Sequence, residues 1–399
     1  MQNKLNVVVI GIGMYSVGRE TDGFGTILPA LIEWKRDNDN IGKVFFVGTN
    51  VKSAQIAKDK ISKIKKHTGI ELNFDVFPKK GNVDNEAYKK VLSLIPRPAC
   101  SIIVVPDHLH FKVALDCLNA NLPVLMVKPL TPTLEEGKKL VRLAKKKNLY
   151  AMVEFHKRWD KANLMLRDTI QKNNIGNLLY CWVEYSQRKS IPTEIFKEWA
   201  EKTSILQYLG VHYIDIMRFV SNAIPVRTMA IGQKKWLTSK RLDTYDSIQC
   251  FIEWMLPDGS MFNQVILTNW VDPESSSAMS DQKIKLVGTS GRFESDQKER
   301  GIKINIDNVG IEQPNPDFCH EFGNEVGRKE WRGYGIDSVK NFLTDVINIK
   351  SGLISLDQLQ IDRPTFAEAL ISTAVVESAH KSLERKNIWI DINLDNKYE

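Results

Sequence analysis

The stretch Leu5-Asn6-Val7-Val8-Val9-Ile10-Gly11-Ile12-Gly13 decides the fold. Its β-branched apolar run predicts a strand buried on both faces, and the Gly-x-Gly that follows predicts a tight turn at the strand's end. Working outward, a strand at 44–47 precedes a lysine-rich helix near 51–67, and a weaker strand from Leu72 precedes a helix near 84–94. Ser101–Pro106 is a second clear buried strand, followed by a helix at 110–120, a strand at Val124–Val127 and a helix at 133–147. Alternation of this kind predicts a doubly wound parallel sheet.

Glycines in the first turn let a backbone approach a pyrophosphate, and the following helix offers unpaired N–H groups to its charge. Gly11, Ile12 and Gly13 are therefore candidate dinucleotide contacts. Helical periodicity is delayed to Thr26, with Pro29 tolerable in the first turn. The third glycine of the usual spacing falls at Ser16, so either that serine substitutes or the loop 14–25 is an insertion and Gly25 takes the role; the insertion is preferred because Gly25 directly precedes the helix. After the second strand, Gly48-Thr49-Asn50-Val51-Lys52-Ser53 carries no carboxylate for ribose hydroxyls. Thr49 and Asn50 are the candidates there. With Lys52 beside them, NAD(P) is expected, leaning to NADP over NAD.

At 399 residues, 43% hydrophobic and 26% charged, the chain is long enough for two well-packed domains. These are expected at 1–150, for the dinucleotide, and 151–399, for substrate and oligomer contacts. A helix at about 363–385 is expected to pack back on the first domain. The net charge of +7 lies in short lysine runs, read as solvated helix faces. No basic stripe interleaved with aromatics points to nucleic acid. Five cysteines without a Cys-x-x-Cys pair are read as reduced thiols, with no metal expected. The chain shows neither a signal-peptide pattern nor a membrane-length apolar run, so a cytoplasmic protein without a membrane partner is expected. Alternating strands from Leu178, Ser247, Met261 and Lys283, with a tight turn at Leu256–Ser260, predict a large, mostly antiparallel open sheet in the second half.

Several segments resemble the Gfo/Idh/MocA oxidoreductases in order and spacing. Val105-Pro106-Asp107-His108-Leu109-His110 resembles the family's Pro-Asn-x-x-His, and Val127-Lys128-Pro129 its Glu-Lys-Pro. Glu154-Phe155-His156-Lys157-Arg158-Trp159 is similar to the entry into its second domain, and Gly210-Val211-His212-Tyr213-Ile214-Asp215 to its Gly-x-His-x-x-Asp helix. Arg363-Pro364-Thr365-Phe366 resembles the start of its C-terminal helix.

The resemblance implies a Rossmann domain, a second α/β domain whose sheet often mediates oligomers (a dimer or tetramer here), and hydride transfer at a hydroxyl or carbonyl of a sugar, cyclitol or related polyol. It implies that Pro106, Asp107 and His110 lie near the cofactor, that Lys128 stands beside the nicotinamide and reacting oxygen, and that His212 exchanges the proton. A tunable base and a lysine cation suit that chemistry. His156, Arg158 and Asp215 are candidate substrate contacts, although an interdomain salt bridge is equally open for the first two, and Asp215 is open between orienting His212 and covering the helix surface. His110 is open between capping its helix and chemistry. The chain departs from the pattern at Val127, where a glutamate is usual, at Asp107 for asparagine, and at Tyr208, where many members carry an aspartate. Tyr208, four residues before His212, is a candidate hydroxyl in the proton relay. Phe318, His320, Trp331 and Tyr334 are possible substrate contacts in the otherwise unassigned stretch 298–335. The rival reading is a non-catalytic dinucleotide sensor of the same fold.

Overall fold

The computed structural model describes residues 4–81, 83–323 and 325–394. They form two compact units. The first is built from the chain up to Leu130, then Gly137–Trp159 and Asp317–Glu368; the second from Thr131–Glu136, Asp160–Pro316 and the chain from Ala369 onward. A single cut at 150 is thus replaced by interleaving.

In the first unit, β1 (Leu5–Ile10), β2 (Ile41–Val47), β3 (Asn73–Phe77), β4 (Ala99–Ile103), β5 (Val124–Val127) and β6 (Ala151–Glu154) form one parallel sheet in the order β3-β2-β1-β4-β5-β6. Residues 151–159 belong here because β6 pairs with β5. Residues 317–368 belong here because the helix Tyr334–Lys350 packs on the sheet's helical layer, with Trp34 Nε1 donating to Thr344 Oγ1 at 3.0 Å and Tyr150 stacked on Phe342.

The helices α1 (Met14–Val17), α2 (Ile27–Asn38), α3 (Val51–Thr68), α4 (Ala87–Leu94), α5 (His110–Asn119) and α6 (Leu134–Lys146) follow the strands. The connection 14–25 is not irregular throughout: α1 starts directly after Gly13, and the loop then closes on itself. Gly25 (φ 72°) lies where a Cβ would come within 2.7 Å of the Met14 and Tyr15 carbonyl oxygens, so only glycine permits that closure. Thr26 occupies the N-cap position of α2 but makes no side-chain cap bond.

In the second unit, β7 (Leu178–Arg188), β8 (Ile224–Gln233), β9 (Ser247–Met255), β10 (Met261–Asp272), β11 (Ser280–Gly288) and β12 (Arg292–Asp296) form a sheet in the order β12-β11-β7-β10-β9-β8, with Ile390–Asp391 paired at the β8 edge. Neighbours are antiparallel except β10 and β7. The turn between β9 and β10 closes through Leu256 N–H donating to Ser260 O at 2.8 Å, with Gly259 at φ 84°. Alternation makes one face core, including Ile248, Cys250, Ile252, Trp254 and Ile266, and leaves Phe251, Val265 and Leu267 half-buried on the other. The helix Phe366–Glu384 belongs to this unit from Ala369 onward, where Ser382 Oγ accepts the Ala230 N–H at 3.0 Å and His380 Nε2 lies 2.8 Å from Ser204 Oγ. All five cysteines are free thiols. Among the described residues no helix is long and apolar enough to cross a membrane, and no His, Cys, Asp or Glu cluster is arranged to hold a metal.

Candidate functional site

In the first unit the candidate residues follow the carboxyl ends of β1, β4, β5 and β6, on one edge of a parallel sheet. The strand order reverses between β1 and β4, the position where open α/β sheets take ligands. Gly11 (φ 105°) lies so close to the segment after β4 that a Cβ would meet Val104 O at 1.8 Å, and Val104 N–H donates to Ile10 O at 2.7 Å. At Gly13 an added Cβ would meet nothing within 4 Å, so its backbone stands open to an approaching group. Ile12 is buried and packs against Gly48, tying the glycine turn to the end of β2.

Beyond β2, Asn50 caps α3 by accepting the Ser53 N–H at 2.8 Å, while Thr49 is exposed. Arg19, from the loop after α1, donates to Ser53 Oγ at 3.0 Å. It brings a cation to the place where the sequence shows only Lys52. Ser16 is fully buried in α1. The glycine cradle, the open face at Gly13 and these donors fit a dinucleotide.

Pro106 and buried Asp107 begin a 3-10 turn after β4. His110 does not cap α5. It is fully buried, with Nδ1 2.7 Å from Pro129 O and Nε2 2.9 Å from Val105 O, and burial lowers its pKa despite the nearby Asp107. It fastens the turn that carries Lys128. Lys128 itself is half-buried; desolvation lowers its pKa to about 8, against the charges of Asp107 and Glu154 that favour its proton.

Glu154, only 1% exposed, is the hub of this edge. Its Oε2 accepts from Tyr15 Oη at 3.0 Å and from His156 Nδ1 at 3.1 Å, and its Oε1 from Ser338 Oγ at 2.7 Å. Burial, and then Glu154, hold the Tyr15 phenol well above its ordinary pKa. The His156 ring is flanked by Tyr334 (5.6 Å, stacked), Phe318 (5.1 Å) and Tyr15 (6.5 Å). Of the stretch 298–335, Phe318 and Tyr334 therefore join this cluster. Trp331 goes instead to the core against Phe24, and His320 to an exposed hairpin beside Phe322. Arg158 is buried on the same short turn as His156.

The second unit holds a different group. Tyr208 lies in a π-helical turn, Leu206–Gly210, that runs into α7 (Val211–Ser221), where His212 and Asp215 are both buried. Rings of Phe196 (4.7 Å), Trp199 (5.9 Å) and Trp270 (6.1 Å) surround Tyr208. The ring partner of His212 is Tyr185 at 6.4 Å, a phenol whose pKa burial raises.

Sequence reasoning overlooked Glu154, Tyr15, Ser338 and Arg19 in the first unit and Tyr185 in the second. Glu154 and Tyr185 were detectable: the first is the cross-strand partner of Val127, and the second falls on the inward face of β7 after Cys181 and Val183. Tyr15, Arg19 and Ser338 reach the site only through loop closure and long-range packing.

A family model described as "Oxidoreductase family, NAD-binding Rossmann fold" matches residues 45–155, and a "GFO/IDH/MocA C-terminal domain" model matches residues 163–294. The first match begins inside β2, so the glycine turn with its extended loop lies outside it. The scyllo-inositol 2-dehydrogenase (NADP(+)) IolW of Bacillus subtilis is 31% identical over 138 residues, 33% of this chain and 38% of that protein. An uncharacterized oxidoreductase of Schizosaccharomyces pombe is 25% identical over 272 residues, 65% of this chain and 64% of that one. The chain thus spans between about two fifths and two thirds of these relatives' length. The fold also matches the crystal structure of myo-inositol 2-dehydrogenase from Lactobacillus plantarum, with a TM-score of 0.69 at 15% identity, covering 98% of this chain and 100% of that one. With models for both halves of one family matching in chain order, the chain belongs to the Gfo/Idh/MocA oxidoreductases.

Proposed function

We propose that the protein is an NAD(P)-dependent dehydrogenase or reductase acting on a CH–OH group of a cyclitol, sugar or sugar derivative. The observation that carries this reading is Lys128: a lysine with pKa lowered to about 8, held by the His110 clamp on Pro129 at the ligand edge of a dinucleotide-type sheet. A nicotinamide cofactor, when bound, supplies or accepts the hydride. Gly11, Ile12, Gly13 and Gly25 shape the turn that would admit it, Thr49 and Asn50 would meet its ribose, and Pro106 and Asp107 would border it. Lys128 donates its ammonium proton to a hydrogen bond with the substrate oxygen and stabilises negative charge developing there. His212 takes the hydroxyl proton on an imidazole nitrogen as the alcohol is oxidised, and returns it in reduction. His156, Arg158 and Asp215 contact or orient the substrate, and Tyr208 contributes chiefly its ring.

The lean to NADP is supported by Arg19 and Lys52, cations at the end of β2, where residues 48–53 carry no carboxylate and Arg19 shares its charge with the exposed Glu20 at 3.3 Å. The Bacillus relative, named as using NADP(+), agrees with it. We assign the half-buried β9–β10 face to pairing between copies of the chain in a dimer or tetramer, and the protein to the cytoplasm. The test is a screen of inositols, sugars and sugar derivatives for change in nicotinamide absorbance. At least one cyclitol or sugar should turn over, with tighter binding of NADPH than of NADH. Inactivity with all of them alongside tight cofactor binding would leave a dinucleotide sensor.

A further inference from the structure

We propose that Glu154 is the positioning carboxylate of the first unit, keeping Lys128 protonated and His156 in one tautomer from the strand next to the one that carries the lysine. This deepens the oxidoreductase reading and rests on it for its functional consequence. The placement follows from the parallel register. Val127, the residue before Lys128, is the cross-strand partner of Glu154, so a carboxylate absent from the end of β5 is present beside it at the end of β6.

Burying a carboxylate to 1% exposure is costly unless its lone pairs are satisfied. Elsewhere in the same unit this is done with a fixed cation: Asp345 accepts from Arg363 Nε at 2.7 Å. Glu154 is instead satisfied by Tyr15, Ser338 and the imidazole of His156, all groups with removable or rotatable protons. Its charge thus remains available to Lys128, on which it acts together with Asp107. A carboxylate only accepts, so the 3.1 Å contact puts a proton on His156 Nδ1 and leaves Nε2 as the basic nitrogen of the neutral ring. Phe318, Tyr334 and Tyr15 hold that ring in place. Among the described residues, the ionisable groups on this edge include Tyr15 from α1, Asp107 from the turn after β4, Lys128 after β5, Glu154 and His156 from β6 and the turn after it, Tyr334, which stacks on His156, and Cys319, which faces Tyr15. The buried cations Lys157 and Arg158 follow on that turn.

The test titrates Lys128 directly. In the full chain, the rate at which acetic anhydride acylates Lys128 is followed against pH by peptide mass spectrometry, beside the pH dependence of turnover. Glu154→Gln keeps the size and the acceptor oxygen but removes the charge. It should lower the acylation midpoint from near 8 by about one pH unit, the scale of a lost neighbouring charge. The fall in turnover on the basic side should move down by the same amount, while cofactor affinity stays. Adding Val127→Glu to Glu154→Gln should return the midpoint most of the way, which a merely structural role for Glu154 would not produce. If Glu154→Gln fails to fold, Glu154→Leu removes charge and desolvation cost together and carries the same measurement. An unmoved acylation midpoint in a folded variant overturns the proposal. Because acylation needs no substrate, absence of turnover with every polyol would defeat the oxidoreductase reading while the role of Glu154 is still decided.

Discussion

The two units offer chemistry in opposite media. In the first, Asp107 and Glu154 favour the Lys128 proton through their charge, and Glu154 accepts from Tyr15 and His156. In the second, His212 lies beside the Tyr185 phenol with Asp215 buried on the same helix, and Tyr208 lies among Phe196, Trp199 and Trp270. The contrast is one of medium: the first unit gathers groups that carry charge, and the second sets its imidazole and Tyr208 among aromatic rings.

The largest effects should come from the titratable group of each unit. Lys128→Ala and His212→Ala are each expected to lower turnover by roughly 10²–10⁴-fold, the range for a positioned proton-transfer or charge-stabilising group. Melting temperature and cofactor affinity should change little. Wild-type turnover should also fall as pH rises through about 8, because Lys128 then loses the proton with which it stabilises the substrate oxygen. His212→Ala with near-native turnover would confine proton transfer to the charged edge and turn attention to His156.

Two glycines of one turn separate fold from function at the next level of effect. Gly11→Ala sets a Cβ against the Val104 carbonyl at φ 105° and should leave the chain largely unfolded. Gly13→Ala meets nothing within 4 Å. It should melt like wild type yet bind NADPH about tenfold more weakly, about 1.4 kcal/mol, as read by quenching of tryptophan fluorescence. Undiminished affinity in Gly13→Ala would remove the cofactor from this turn.

Much of the first unit was readable because its signals are local. The runs at Leu5–Ile10 and Val124–Val127 are strands with the expected bounds, and the helix expected at 110–120 spans His110–Asn119. What escaped was non-local. β8 carries a proline and a glycine within a weak alternation, and the return of residues 317–368 to the first unit depends on packing far apart in sequence. The candidate lysine and histidine were legible as motifs. Glu154 was detectable as a residue, but its role as a hub was not, because two of its three donors come from the distant positions 15 and 338. Cofactor preference was half legible: Lys52 lies in the loop after β2, whereas Arg19 arrives only through the folding of the loop after α1. Arg19→Ala should weaken NADPH binding by several-fold to tenfold and NADH binding far less, since only the former carries a 2′-phosphate. Equal losses would reassign Arg19 to loop structure.

The smallest expected effect sharpens the comparison most, because it asks what kind of group Tyr208 is. Its ring is enclosed by three others at 4.7–6.1 Å, an arrangement that values aromatic area and edge-to-face geometry over the hydroxyl. Tyr208→Phe should then keep kcat within about threefold, a loss far below that of a proton-transfer group, whereas Tyr208→Ala should raise KM for the polyol by about tenfold, about 1.4 kcal/mol. A hydroxyl that belongs to the proton relay would reverse the pattern: kcat would fall in Tyr208→Phe, with KM nearly unchanged, because the missing interaction would be one made only as the proton moves. That outcome would give the second unit a charge-handling role of its own and erase the contrast between the two.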